Sequence, residues 1–265
     1  MDNGELIKLA NELGFAEAYF LPPPDLARNE SEPHIVWNAD EYPWAKASLL
    51  LAWAYKPFPP GERIPAYYVN SNRSYHASVA LARRLEAEGI NCHRCEIPIK
   101  QLAVRYGIAV PLKSSLIAIP HYGTRIAFQS MLLGEPFLPE TYSVPSDGLC
   151  SVCRACEKAC PAHAISENGY ELSKCMRFYM DGADYPDWVY GMQRTHLGCE
   201  VCQEVCPRNA GIGFDEPTDE MKKAFDLEKL RSGETKAARL LVGKNMTGRG
   251  KLQKEAERFL ERDGR

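Results

Sequence analysis

Leucines at positions 6, 9 and 13 share one face of a 3.6-residue period, so residues 5–13 are expected to form an amphipathic helix. The apolar FAEAYFL that follows (15–21) reads as a strand. Pro22, Pro23 and Pro24 end it, because they lack the N–H that pairing needs. SLLLAWAY (48–55) is apolar without a polar break and is expected to be a buried strand. SYHASVALARRLEAEG (74–89) keeps helical spacing up to Gly89, and IKQLAVRYG (99–107) up to Gly107, glycine being the usual residue past a helix end. SSLIAIP (114–120) is strand-like, and PHYGT (120–124) is turn chemistry. Helices alternating with strands predict a layered α/β domain over residues 1–143, ending at the small, turn-forming TYSVPSDG. A cysteine-rich domain (144–212) comes next. EMKKAFDLEKL and GKLQKEAERFLERDG then predict a helical C-terminal segment (213–265) of mixed charge, packed on the outside. The expected fold class is α+β.

Composition narrows the setting. The 265 residues are 45% hydrophobic and 25% charged, ordinary values for a globular protein, and the formal net charge of -3 gives no overall pull towards nucleic acid. The longest apolar run, ASLLLAWAY, is far shorter than a membrane span, and the acidic MDNGELIKLANELGF start is unlike an export signal. A cytoplasmic protein without membrane contact is expected. Ten cysteines in that compartment point to metal or redox chemistry, since a reducing cytosol opens disulfides.

Cys150, Cys153, Cys156 and Cys160, followed by Pro161, form the C-x2-C-x2-C-x3-C-P run by which bacterial ferredoxins hold [4Fe–4S] clusters. In that run the fourth thiolate reaches a neighbouring cluster, so a second run is required. It is present but incomplete: Cys199, Cys202 and Cys206 precede Pro207, and His196 stands where the first cysteine would be. Cys175 is the one other cysteine of the region. The assignment is Cys150, Cys153, Cys156 and Cys206 to one cluster and Cys160, Cys175, Cys199 and Cys202 to the other, with His196 as the alternative to Cys175. The domain is therefore expected to be ferredoxin-like with two [4Fe–4S] clusters. Zinc fits poorly, because structural zinc draws its ligands as two separated pairs. Cys92 and Cys95 form one more C-x2-C pair, either a redox couple, half a metal site or two plain buried thiols.

The α/β half is more than a simple electron carrier needs. RSYH (73–76), PIKQLAVRYGIAVPLKSSL (98–116), PHYGT (120–124) and the cysteine pattern with its closing GCEVCQEVCPRN resemble the epoxyqueuosine reductase and reductive dehalogenase relatives over roughly residues 60 to 210. The resemblance implies a cobalamin-binding α/β domain joined to a two-cluster module, with electrons passing through the clusters to a cobalamin that reduces an electrophilic substrate, a small molecule or a modified nucleoside. It implies cofactor contacts from Tyr75, His76, Lys113, Tyr122 and Gly123, and from Arg177 and Tyr179 just past Cys175. The long C-terminal helical-repeat domain that the epoxyqueuosine reductases use alongside tRNA is not among these residues. The alternative is an electron-transfer protein without its own substrate that serves a partner such as a corrinoid protein. Both readings need an electron donor such as a ferredoxin or flavodoxin.

Other signals have plainer explanations beside the functional ones. Gly107 with Lys113 and Ser114 mimics a phosphate loop, but Leu112 stands where the glycine before the lysine is required. Lys113 is left to contact a cofactor side chain or to form a salt bridge. Tyr170, Phe178, Tyr179, Tyr185, Trp188 and Tyr190, between the cysteine runs, shield the clusters from water or line a substrate face. GKNMTGRGK (243–251) offers either a solvated basic face or an RNA contact.

Overall fold

The computed structural model describes residues 1–24, 39–144, 148–182, 184–244, 248 and 250–264. It divides into two compact units. The first comprises Met1–Ala54, Arg73–Leu112 and Leu116–Asp147; the second comprises Tyr55–Asn72, Lys113–Ser115 and Gly148–Arg265.

In the first unit, helix α1 (Asn3–Glu12) opens with a capping box in which Asp2 and Glu5 satisfy each other's backbone N–H groups. Strands β1 (Glu17–Leu21) and β2 (Ala47–Ala54) lie where the apolar runs place them. Helix α2 (Ala66–Ala87) begins eight residues earlier than the sequence reading has it, its first part belonging to the second unit. The polar NSNR stretch hides that start, since its side chains are used in contacts: Asn70 donates to the Ala66 carbonyl, and Asn72 to the carbonyls of Leu240 and Leu241. Strand β3 (Cys92–Arg94) and helix α3 (Ile99–Arg105) follow. Gly107, at φ +68, turns the chain against the Tyr142 carbonyl, where a side chain would collide. SSLIAIP is reduced to β5 (Ile117–Ala118), paired with β4 (Val110–Pro111), and PHYGT is a tight turn closed by an Ile119–Gly123 bridge.

The main sheet runs in the order β1-β2-β6-β3, each pair antiparallel. Its central strand β6 (Ile126–Leu133) is the element that periodicity does not disclose, because Gln129 and Ser130 interrupt the apolar run. Gln129 is not solvated. It donates to Ser74 Oγ at 3.0 Å and accepts from Arg94 at 3.2 Å, so the polar position is satisfied against α2 and β3. Alternate residues of β2 feed two cores. Leu49 and Leu51 pack with Leu6, Leu81 and Leu85, whereas Leu50 and Ala52 pack with Ile97, Leu102 and Ile108. A sheet covered on both faces explains why ASLLLAWA carries no polar alternation.

The second unit contains short helices α4 (Leu149–Val152) and α5 (Ala155–Ala159), hairpin strands β7 (Ile165–Ser166) and β8 (Gly169–Tyr170), and helices α6 (Met176–Met180), α7 (Asp187–Met192) and α8 (Val201–Glu204). Helices α9 (Asp219–Ala224), α10 (Leu227–Ser232), α11 (Lys236–Val242) and α12 (Lys251–Asp263) complete it. These last helices do not sit on the outside as expected. Met221, Leu230, Val242, Leu252 and Ala256 share one core with Tyr68, Val69 and Leu197. The charges of α12 mask this because most line its outer face, the exceptions being the buried Lys251 and Glu255. Of the expected boundary, residues 145–147 lie outside the described residues, as do 245–247 and 249 of GKNMTGRGK. No helix among the described residues is long and apolar enough to cross a membrane.

Candidate metal centre

The cysteines of the second unit stand at the ends of very short helices. Cys153 closes α4, Cys160 closes α5, Cys175 precedes α6, and Cys206 precedes a turn at Pro207–Asn209. Helices too short to persist in isolation need tertiary partners, and α5 packs against α8.

The thiols fall into two electrostatic groups. Cys150 and Cys153 act on both Cys156 and Cys206, while Cys160 and Cys175 act on both Cys199 and Cys202. Cys156 also acts on Cys202, so the groups adjoin. Burial, then thiol–thiol repulsion, pushes Cys202 far above the usual thiol range. Burial, reinforced by Cys175 and Cys160, pushes Cys199 up to about 11. Thiols crowded out of water become thiolates only beside a compensating positive charge, which iron supplies. Backbone donors are already aimed at the sulfurs: Lys113 N–H to Cys150 Sγ and Ala164 N–H to Cys160 Sγ, both at 3.3 Å. Among the described residues no three His, Cys, Asp or Glu side chains converge on a single-ion site. Thiolates spread around a cubane need no such convergence.

His196 has its Nε2 buried without a hydrogen-bond partner. Its ring is fully buried between Phe225 and Phe259, and its Nδ1 lies 2.8 Å from Glu255 Oε2. Tyr170, near Cys175, has its phenol pushed up by burial and then by its hydrogen bond to the Cys175 sulfur. The aromatic insert divides: Tyr185 and Tyr190 are buried with Met176, Met180 and Val189, while Phe178 and Trp188 remain exposed.

The expected cofactor contacts are dispersed. Tyr75 and His76 are exposed on α2, with the Tyr75 ring 4.3 Å from the Arg94 guanidinium carbon. Tyr122 and Gly123 occupy the bridged turn of the first unit. Lys113 belongs to the second unit and is already engaged, its Nζ 2.9 Å from Glu157 Oε1 and 3.4 Å from the Cys153 carbonyl. Arg177 pairs with Asp181 and lies over the Tyr68 ring, and the Tyr179 hydroxyl donates to the Ser173 carbonyl. Glu157 and Glu255, the two buried acids that organise this unit, carry no sequence signature. Each lies in a helical run that reads as surface.

Cys92 and Cys95 are three residues apart along an extended chain and serve opposite faces of the sheet. Cys92 sits in the α1/α2 core and Cys95 beside Ile97 and Leu102. Burial pushes them up to about 11 and about 12, so neither forms thiolate near neutrality. Both are expected to resist iodoacetamide at pH 8 in the folded protein and to react on unfolding, as peptide mass mapping would show.

Residues 149–209 match the 4Fe-4S double cluster binding domain family. Epoxyqueuosine reductase of Listeria monocytogenes is 34% identical over 116 residues, covering 43% of this chain and 30% of that protein. Over that stretch the chain is similar to the epoxyqueuosine reductases. Its cysteine-rich stretch is a module for two [4Fe–4S] clusters. The chain thus spans about a third of the length of the curated relatives it matches. A selenomethionine-labelled epoxyqueuosine reductase superposes with a TM-score of 0.73 at 21% identity, over 97% of this chain and 80% of that one. An epoxyqueuosine reductase solved with a tRNA-Tyr stem loop gives 0.67 at 20%, over 97% and 80%. A reductive dehalogenase whose structure suggests a mechanism for B12-dependent dehalogenation gives 0.51 at 16%, over 97% and 35%. At these identities the structural likeness shows the fold.

Proposed function

We propose that this protein is an iron–sulfur oxidoreductase in which two [4Fe–4S] clusters, on the thiol sets Cys150, Cys153, Cys156, Cys206 and Cys160, Cys175, Cys199, Cys202, deliver electrons to a bound cobalamin. The observation that carries the cluster reading is the division of eight half-buried thiols into two adjoining groups of four. Adjoining cubanes pass single electrons, and cobalamin supplies a strongly reducing metal for an electrophilic substrate. The exposed Tyr75 and His76 on α2, and separately the narrow turn at Tyr122 and Gly123, are the first unit's candidates for cobalamin contact. Lys113 and Arg177 are weaker contacts because carboxylates hold them. The likeness to an enzyme solved with a tRNA stem loop supports a modified nucleoside in tRNA as the substrate class.

A second reading is a relay that passes electrons to a partner protein. Val152 and Val205, 79% and 38% exposed, leave apolar surface beside the ligand cysteines Cys153 and Cys206, as a transient redox contact would use. Anaerobic reconstitution with iron and sulfide, followed by cobalamin titration, separates the two. The oxidoreductase reading expects a brown protein whose visible spectrum shifts at micromolar cobalamin. Intact clusters with no cobalamin uptake would leave only the relay.

A further inference from the structure

Glu157 is 7% exposed and receives two cations. Lys113 Nζ lies 2.9 Å from its Oε1 and Arg154 Nε 2.8 Å from its Oε2. The three charges surround the first thiol group. Arg154 and Glu157 flank Cys156 along the chain, the Lys113 backbone N–H points at Cys150 Sγ, and its Nζ also donates to the Cys153 carbonyl. Arg154 is also shared with Glu167 at 3.3 Å, so the local cations and carboxylates are two of each. At the second thiol group the charges differ: Glu204 acts on Cys199, and Arg177 acts on the Tyr170 that bonds Cys175.

One-electron reduction of a cluster places an additional negative charge within its shell of thiolates. A fixed cation nearby stabilises the reduced form and a fixed anion destabilises it, and burial keeps both effects from being screened away. We infer that Lys113, Arg154 and Glu157 form a potential-setting triad for the first cluster, in which Lys113 raises the reduction potential and Glu157 lowers it. This rests on the proposed ligand set Cys150, Cys153, Cys156 and Cys206. Lys113 is then a positioning residue for electron flow, acting through the potential of the first cluster.

The test is an anaerobic redox titration, with dithionite as reductant and mediators, of the reconstituted full chain, read by electron paramagnetic resonance. The signal that disappears in Cys175→Ser marks the second cluster. Lys113→Gln keeps the backbone N–H to Cys150 and removes only the charge. It should weaken reduction of the first cluster about tenfold, a shift of ~59 mV downward for a one-electron couple. Lys113→Arg should restore the potential. Glu157→Gln should shift it upward by a similar amount, and the second cluster should stay put in all three variants. A purely structural role cannot give opposite signs for the two charge removals. Equal-signed shifts, no shift, or parallel movement of both clusters would overturn the inference. If Lys113→Gln fails to assemble, the upward shift in Glu157→Gln decides alone, and its absence is equally fatal. The ligand reading is judged separately, by iron content: wild-type protein lacking two-cluster iron sinks it, whatever the potentials do.

Discussion

Cys175→Ser is expected to cost the protein half of its cluster iron and one of two paramagnetic signals, leaving the cluster on Cys150, Cys153, Cys156 and Cys206 intact. The reason lies in how the second set is assembled. Cys160 comes from the end of α5, Cys199 from the chain entering α8, Cys202 from within α8, and Cys175 from the start of α6, so no neighbouring cysteine can slide into its place. A serine oxygen is a harder and less readily ionised donor than a thiolate and binds cluster iron poorly. The one substitute in sequence reach is His196, and it is committed elsewhere. Its Nδ1 is bound to Glu255 at 2.8 Å, and its ring has no exposed surface between Phe225 and Phe259. Its Nε2 has no hydrogen-bond partner, so recruiting it would mean drawing the ring out of the core rather than breaking that contact. Iron and sulfide analysis of anaerobically reconstituted protein measures the effect. Full iron retention would show that the ring does move, and the ligand set would have to be redrawn around His196.

What the sequence discloses and what it hides follow from the range over which each feature is determined. The cysteine runs are legible because a cubane forces its ligands to close sequence spacing, and Cys175 is proposed by counting what remains. The strands β1 and β2 are legible because burial on both faces leaves an uninterrupted apolar run. Strand β6 is not, because Gln129 and Ser130 owe their tolerance to partners more than thirty residues away or on another element: Ser74, Arg94 and the Cys95 carbonyl. The same holds for the site's charges. Lys113 reads as a cofactor ligand or a surface ion pair until Glu157, 44 positions on, is brought to it. His196 reads as the alternative to Cys175 because its position in the run is a ligand's position, and only the fold reveals the carboxylate at its Nδ1. Cys92 and Cys95 look like a pair in spacing, yet the pleat of an extended chain sends them into different cores.

Glu255→Ala is expected to destabilise the second unit by about 3–5 kcal/mol, the cost of stripping one partner from a buried polar pair. The carboxylate has no exposed surface and is met from every side: by the Tyr185 hydroxyl at 2.9 Å, Gln193 Nε2 at 2.8 Å, His196 Nδ1 at 2.8 Å and the Leu197 N–H at 3.0 Å. Alanine would leave those donors buried without an acceptor, a loss that the small gain in apolar packing cannot offset. The backbone adds to the cost. Leu197 is held at φ +62, a left-handed conformation that a leucine adopts reluctantly, and its N–H bond to Glu255 is among the contacts that hold it there. Glu255→Gln keeps one acceptor oxygen but turns an NH2 towards donors, so its loss should be smaller. Urea unfolding followed by far-ultraviolet dichroism would rank the three proteins wild type, glutamine, alanine. Because Leu197 leads directly into Cys199 and Cys202, loosening this knot should also let the second cluster bleach in air before the first. Unfolding of the alanine variant at the wild-type urea concentration would mean that the four donors find water or other acceptors. The link drawn from α12 to the cluster ligands would then be lost.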